Sequence, residues 1–144
     1  MNSAVLLLMI GIATVYGGQH DPHVCYEGNP LYCDRPDDRH LYTEDARDPW
    51  VAVDVGMYES GRVRCGDELW VYLPDGSVLV AQALDAGYLA AYRTRDYPNL
   101  PIVVDVPAMF APFEGLSPVR VINRSAAGRL LEETAGRRDS GRKE

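Results

Sequence analysis

Short apolar runs that each end on a carboxylate are the dominant pattern of hydrophobic and polar positions along this chain. The three clearest runs are residues 50–53 before Asp54, 78–84 before Asp85 and 102–104 before Asp105. Their length and β-branched content predict strands. An acid that closes such a strand lies at a sheet edge or barrel rim, where it is partly removed from water. Acids that share one groove there would suit either acid/base chemistry on a sugar or a polar binding site.

The same pattern predicts six short strands and little helix. The strands are expected at residues 10–16, 50–54, 68–73, 77–84, 102–106 and 118–123. Pro74-Asp75-Gly76 is a turn signal between the third and fourth strands and predicts a hairpin. Residues 19–49 and 87–101 form long loops, and residues 107–110 fit one helical turn. Because six short strands in an open sheet would leave its edges unpaired, a small closed barrel is expected.

Composition and charge narrow the class of protein. With 144 residues and 47% hydrophobic content, the chain is large enough for one globular domain with its own core. The first 124 residues carry nine basic and 17 acidic side chains, which argues against binding to nucleic acid or to an anionic membrane surface. His20, His23 and Cys25 are of metal-ligand types, but their spacing matches no strong zinc pattern. No metal and no cofactor is therefore expected.

The N-terminal segment has two interpretations. The first 19 residues carry no charged side chain, and residues 4–13 are almost entirely apolar, which fits residues 1–13 as a signal peptide cleaved after Ala13. Alternatively, residues 10–16 form the first core strand, and cleavage after Ala13 would still leave residues 14–16 as strand. The apolar run is too short to span a bilayer. We expect export, with the mature protein secreted or held in the cell envelope.

Three cysteines bear on the same question. Cys25 and Cys33 flank a Gly-Asn-Pro turn, so a Cys25–Cys33 disulfide would close a short loop in an exported protein. Cys65 would then remain as a buried free thiol. A Cys25–Cys65 pairing is the alternative.

Several motifs resemble known families in their order along the chain. Residues 12–17, Ile-Ala-Thr-Val-Tyr-Gly, resemble the opening strand of rare lipoprotein A-like domains. Residues 51–54 and 65–71 are similar to the "A-V-D … G-T-x-V-x-V" stretch of that superfamily, and Cys65-Gly66 is also similar to expansins and barwin-like proteins. Residues 83–87 and 102–105 resemble the "D-x-G … D" signature of the three-aspartate domain.

The resemblance covers roughly residues 12–123 and implies a six-stranded double-psi β-barrel, here over residues 14–124. Residues 125–144 would follow as a charged, flexible tail, with a frayed helix over residues 126–135. Two departures stand out: the link between the second and third aspartates is longer, and the family's histidine is replaced by Asp54 or a neighbour.

The resemblance also implies an activity on cell-wall glycan. In lytic transglycosylases one carboxylic acid protonates the glycosidic oxygen and then accepts a proton from the sugar's own 6-hydroxyl, which gives a 1,6-anhydro product. By the family pattern Asp105 is that acid and Asp85 is its neighbour in the groove. The alternative is a non-catalytic, expansin-like module that holds polysaccharide without cleaving it. A third interpretation is a secreted interaction protein that only uses the same barrel.

Sugar binding also needs aromatic faces and polar groups. The expected partner is peptidoglycan or another cell-wall polysaccharide, and the domain is expected to be a monomer. Trp50 is a further aromatic candidate, whereas Trp70 is expected in the core. An aspartate at a strand end also often accepts backbone N–H bonds and fixes a turn; that alternative stays open for Asp85 and is favoured for Asp105 and Asp54. The candidate substrate-binding residues are Asp54, Tyr88, Tyr92, Arg93, Arg95 and Tyr97.

Overall fold

The computed structural model describes residues 8–17, 30–34 and 48–142, with side chains up to Gly136. Its strands are β1 Leu8–Tyr16, β2 Trp50–Asp54, β3 Glu68–Tyr72, β4 Val78–Gly87, β5 Ile102–Pro107 and β6 Leu116–Asn123. Its helices are α1 Val55–Glu59, a 3₁₀ turn at Leu89–Ala91 and α2 Arg124–Arg142. The six expected strands are all present, and the predicted Pro74-Asp75-Gly76 hairpin joins β3 to β4.

The six strands close into a barrel in the order β1-β5-β2-β4-β3-β6. The β1–β5 and β2–β4 pairs are parallel, whereas the other four neighbouring pairs are antiparallel. Parallel pairing joins strands that are far apart along the chain, so long connections must cross over the barrel. The mainly β fold class with a six-stranded barrel is therefore confirmed.

Alternation along the strands separates an apolar interior from an outer face. In β2, Val51 and Val53 are fully buried in the core, and in β5 the same is true of Val104 and Val106. Because successive side chains of a strand point to opposite faces, the residues between them project outward. The acids Asp54 and Asp105 therefore lie on the outer face of the barrel.

Trp70 differs from its expected position in the core. Its neighbours Leu69 and Val71 fill the interior, so Trp70 projects outward and is half-buried. The Arg124 guanidinium lies 4.8 Å from the centre of the indole ring. A cation stacked on the ring face covers it in place of core side chains.

Residues 8–13, which the leader interpretation removes, belong to β1. Ile12 and Ala13 are fully buried, and β1 pairs with β6 from Leu8 to Thr14. The alternative expectation, a first core strand at residues 10–16, is confirmed. Cleavage after Ala13 would leave only three residues of β1 and would remove two buried side chains.

The C-terminal segment forms a helix whose start contacts the barrel. Helix α2 runs from Arg124 to Arg142, beyond the expected residues 126–135. The Asn123 side chain accepts a hydrogen bond from the Ala126 amide (3.0 Å), which caps the helix start. Arg129 forms a bidentate ion pair with the buried Asp67 at 2.7 and 2.9 Å. These tertiary contacts, which the local charge pattern does not reveal, hold α2 against the barrel.

The disulfide differs from the expected Cys25–Cys33 pairing. Cys33 is bonded to Cys65, with a Cα–Cα distance of 5.6 Å, and Cys25 lies outside the described residues. The β4 strand explains the choice, because the Cys33 amide donates to the carbonyl of Leu84 and the Gly66 amide donates to that of Ala83. The two cysteines are thus docked on neighbouring residues of one strand. Cys65 is exposed and bonded, not a buried free thiol.

Among the residues that the structure describes, no helix is long and apolar enough to cross a membrane. Within the same residues, no group of three histidine, cysteine or acidic side chains could hold a metal ion. His20 and His23 lie outside the described part of the chain.

Candidate functional site

Two of the three strand-closing acids flank a single residue of β2. Ala52 pairs with Asp85 of β4 on one side and with Asp105 of β5 on the other. Residues that pair directly across neighbouring strands present their side chains on the same face of the sheet. Asp85, Ala52 and Asp105 therefore form a row across the outer face, which we call the acid row.

Two hydroxyl groups of β1 extend the acid row. Thr14 pairs with Asp105 and donates a hydrogen bond from Oγ1 to its Oδ1 (2.9 Å). The Tyr16 hydroxyl donates to Oδ2 of Asp85 (2.9 Å), although β5 and β2 separate β1 from β4 in the barrel order. The buried Tyr16 side chain thus reaches from β1 across β5 and β2 to Asp85.

Asp85 has further partners on its far side. Its Oδ1 accepts the Tyr32 amide (3.1 Å), and its backbone carbonyl accepts the Tyr58 hydroxyl (2.9 Å). The rings of Tyr32 and Tyr58 are stacked, with centroids 4.9 Å apart. Burial raises the pKa of Tyr58 well above its usual value, and the nearby Asp85 and Tyr32 raise it further. The Tyr58 hydroxyl therefore stays protonated and remains a hydrogen-bond donor at any ordinary pH.

Both carboxylate oxygens of Asp85 act as acceptors. Oδ1 is held by a backbone amide and Oδ2 by a hydroxyl group. The Asp85 side chain is therefore fixed in orientation at its end of the acid row.

Asp54 has a local structural role. Its side chain caps α1 by accepting the Gly56 amide (2.9 Å), and its other oxygen accepts the Ala90 amide of the 3₁₀ turn (2.8 Å). Asp54 is two residues beyond Ala52 on the same outer face. It fixes the helix and the turn that border the acid row, as the turn-fixing alternative predicts.

The 3₁₀ turn is flanked by two tyrosines with large exposed surfaces. Tyr88 is 77% exposed and Tyr92 is 65% exposed. Arg93 donates to the carbonyls of Tyr92 (2.9 Å) and Ala90 (3.3 Å), so its guanidinium closes the end of this turn. Farther along the loop, Arg95 is exposed and Tyr97 is half-buried.

An open cavity of about 370 Å³ lies beside this turn. Its polar lining includes Asp54, Arg62 and Arg93. Its apolar lining includes Val103, which stands two residues before Asp105 in β5. Asp54, two residues beyond Ala52 in β2, brings the cavity next to the acid row. We call the cavity and the acid row together the groove.

Four residues of this region were not among the sequence-based candidates: Thr14, Tyr16, Tyr32 and Tyr58. The sequence does contain a pattern that could have identified Thr14 and Tyr16, because residues two apart in a strand lie on the same face of the sheet. No local pattern could have identified Tyr32 and Tyr58, because they reach Asp85 only through contacts between distant parts of the chain. Trp50, a candidate, is buried against Leu31 and Leu84 and is not available as a sugar platform.

Comparison with known proteins gives a fold relationship only. No family model and no curated protein matches the sequence. The structure is similar to the crystal structure of apo expansin from Clavibacter michiganensis, with 20% identity and a TM-score of 0.50 over 81% of this chain and 50% of that chain. It is also similar to an aspartate-to-asparagine mutant of the expansin from that organism in complex with cellohexaose, with 19% identity, a TM-score of 0.47 and the same coverage. The chain spans about half the length of these expansin chains, and it shares the barrel fold of the first.

Proposed function

We propose that this domain binds cell-wall polysaccharide along the groove, as an expansin-like module that acts without cleaving the chain. The observation that carries the proposal is the acid row, in which the partly exposed Asp85 and Asp105 flank Ala52 on the outer face of the barrel. Carboxylates and hydroxyls in a row are suited to the repeated hydroxyls of a glycan. The exposed rings of Tyr88 and Tyr92 add amphipathic surfaces that can cover a pyranose.

The contacts favour binding over catalysis. Asp85 accepts hydrogen bonds on both oxygens, and Asp105 accepts the Thr14 hydroxyl. Acids fixed in orientation by the protein suit the binding of a ligand's hydroxyls, whereas lytic cleavage also requires a protonated acid at the glycosidic oxygen. Lytic cleavage of peptidoglycan is the second candidate function. Asp105 would be its acid, because Asp105 is the residue that the family pattern selects for that role.

The proposal also includes an extracellular location. The chain carries a Cys33–Cys65 disulfide, and disulfides persist mainly in oxidising compartments. A secreted protein or one held in the cell envelope would meet the proposed polysaccharide there.

Co-sedimentation separates the two candidate functions. The protein is mixed with insoluble cellulose or with purified peptidoglycan, the pellet is assayed for protein, and the supernatant is examined by mass spectrometry for sugar products. We expect the protein in at least one pellet and no released product. Release of anhydro-muropeptides by the protein, and not by Asp105→Asn, would instead establish the enzyme.

The Asp105→Asn substitution tests the groove itself. Loss of a charged hydrogen-bonding group should weaken binding about tenfold. Asp75→Asn is the matched control, because Asp75 is an exposed acid in the β3–β4 hairpin, at the other end of β4 from Asp85. Equal binding by both variants would move the polysaccharide site away from the acid row. Failure of the unaltered protein to bind either polysaccharide would contradict the proposed function.

A further inference from the structure

Residues 31–33 cross the outside of the barrel beside the acid row, and we call them the strap. We infer that Tyr32 of the strap stacks on a sugar ring at the Asp85 end of the groove, and that the Cys33–Cys65 disulfide holds it there. The inference rests on the proposed polysaccharide binding and adds a binding position that none of the sequence motifs contains.

Three contacts fix the strap on β4. Leu31 is buried against Trp50 and Leu84. The Cys33 amide donates to the carbonyl of Leu84 at 2.9 Å. The disulfide then ties Cys33 to Cys65, whose neighbour Gly66 donates to the adjacent carbonyl of β4. The backbone on both sides of Tyr32 is thus anchored to one strand.

Tyr32 itself is held in a defined orientation while much of it stays accessible. Its amide donates to Oδ1 of Asp85 (3.1 Å), and its ring stacks on Tyr58 at 4.9 Å with an interplanar angle of 30°. Half of the Tyr32 surface nevertheless remains exposed. An aromatic ring that is already fixed loses little conformational entropy when a ligand covers it. A pyranose is a suitable ligand because its C–H face packs on an aromatic ring while its hydroxyls reach Asp85.

The position of Tyr32 depends on the disulfide for a geometric reason. Cys33 is the residue next to Tyr32, so the bond to Cys65 fixes the chain one residue from the stacking ring. Cys65 is exposed, which gives a reductant access to the bond. Reduction should therefore remove the covalent restraint on the strap and loosen the position of Tyr32, while the six paired strands of the barrel remain.

The first test compares tyrosine substitutions in the co-sedimentation assay, with whichever polysaccharide the unaltered protein binds. Tyr32→Ala should weaken binding about two- to tenfold, the range of a lost aromatic stacking contact. Tyr32→Phe should bind normally, since the ring is kept. Tyr72→Ala is the matched control, because Tyr72 of β3 projects from the outer face near Arg120, away from the acid row.

The second test adds reduction, with circular dichroism used to select conditions in which the barrel stays folded. Dithiothreitol, or the double substitution Cys33→Ser with Cys65→Ser, should weaken binding by the same factor as Tyr32→Ala. The effects should not add, because both remove the same stacking contact. Additive losses would overturn the role of the disulfide.

The failures of the two proposals are distinguishable. If the unaltered protein binds no polysaccharide, the proposed function fails. If it binds, and Tyr32→Ala binds as tightly as Tyr72→Ala, then the groove is a polysaccharide site without Tyr32 and only the present inference is overturned.

Discussion

At Gly11, strand β1 lies very close to the residues that begin β5. A Cβ atom placed there would collide with the carbonyl oxygen of Pro101 and would lie 2.8 Å from Cγ1 of Val103. The approach is needed because the next residue, Ile12, donates its amide to that same carbonyl at 2.9 Å. Glycine at this position therefore allows β1 and β5 to pair at the start of their ladder.

We expect Gly11→Ala to lower the free energy of unfolding by about 1–3 kcal/mol, the usual cost of overpacking a tight site. Urea unfolding followed by circular dichroism measures the change. Gly128→Ala is the control, because a Cβ there meets nothing within 4 Å and alanine in a helix is favoured by up to about 1 kcal/mol. Equal stabilities of the two variants would show that the close approach at Gly11 is absent.

At the residue scale, the sequence predicts acids better than it predicts their partners. A strand that ends on Asp is visible as a local pattern, so Asp85 and Asp105 could be selected from the sequence. Tyr58 and Tyr32 contact Asp85 from 27 and 53 residues away, and no local spacing encodes such a meeting. The prediction that Trp70 lies in the core is wrong for a related reason. It rests on the hydrophobicity of the indole, whereas the alternation along β3 places Leu69 and Val71 inside the barrel and Trp70 outside.

Among the elements, α2 depends most clearly on one tertiary contact. Burial alone would raise the pKa of Asp67, but hydrogen bonds from Arg129, the Arg64 amide and Asn123 together lower it below its ordinary value. The same ion pair raises the pKa of Arg129. Asp67 is therefore ionised in the folded protein, where it joins the end of β6 and α2 to the turn before β3.

We expect Arg129→Met to destabilise the protein by about 2 kcal/mol at neutral pH, because it leaves a buried carboxylate without its charged partner. A carboxyl with a lowered folded pKa stabilises the protein above its unfolded pKa, near 4, and loses that contribution as the pH falls through the folded value. The stability difference between the unaltered protein and Arg129→Met should thus narrow between about pH 5 and pH 2.

Urea titrations of both proteins across that range measure the difference. Glu132→Gln is the control, since Glu132 is an exposed acid on the same helix, and its effect should stay small at every pH. A difference for Arg129→Met that is constant down to pH 2 would mean that Asp67 does not carry the ion pair.

For the elements as a set, short apolar runs are sufficient to locate the strands but not the helices. The six strands fall on those runs, to within a few residues at the ends. Helix α2 has glycines and mixed charges along its length, and its order comes from the Asn123 cap and the Arg129 contact. The position of the strap could not be predicted from the sequence either. The spacing of Cys25 and Cys33 predicts a short disulfide-closed loop, whereas the disulfide joins Cys33 to Cys65, 32 residues away.

At the scale of the whole molecule, β1 closes the ring. It pairs in parallel with β5 and antiparallel with β6, so its removal would expose the edges of both strands and open the core. The sequence predicts a closed barrel, because six short strands in an open sheet would leave the edge strands unpaired. It does not predict the order of the strands around that barrel. That order depends on parallel pairs between distant segments, which are selected by packing of the whole chain.

A chain that starts at Thr14 should therefore fail to fold, whereas the unshortened chain should unfold cooperatively. The first lacks Ile12 and Ala13, both fully buried, and lacks most of the β1–β6 ladder; the loss of Ile12 alone is worth about 3 kcal/mol. Thermal unfolding followed by far-ultraviolet circular dichroism distinguishes a cooperative transition from none. For protein recovered from outside the cell, mass spectrometry should place the mature N-terminus before Leu8. A cooperative transition in the shorter chain would show that the barrel closes without β1, and would restore cleavage after Ala13 as a workable maturation step.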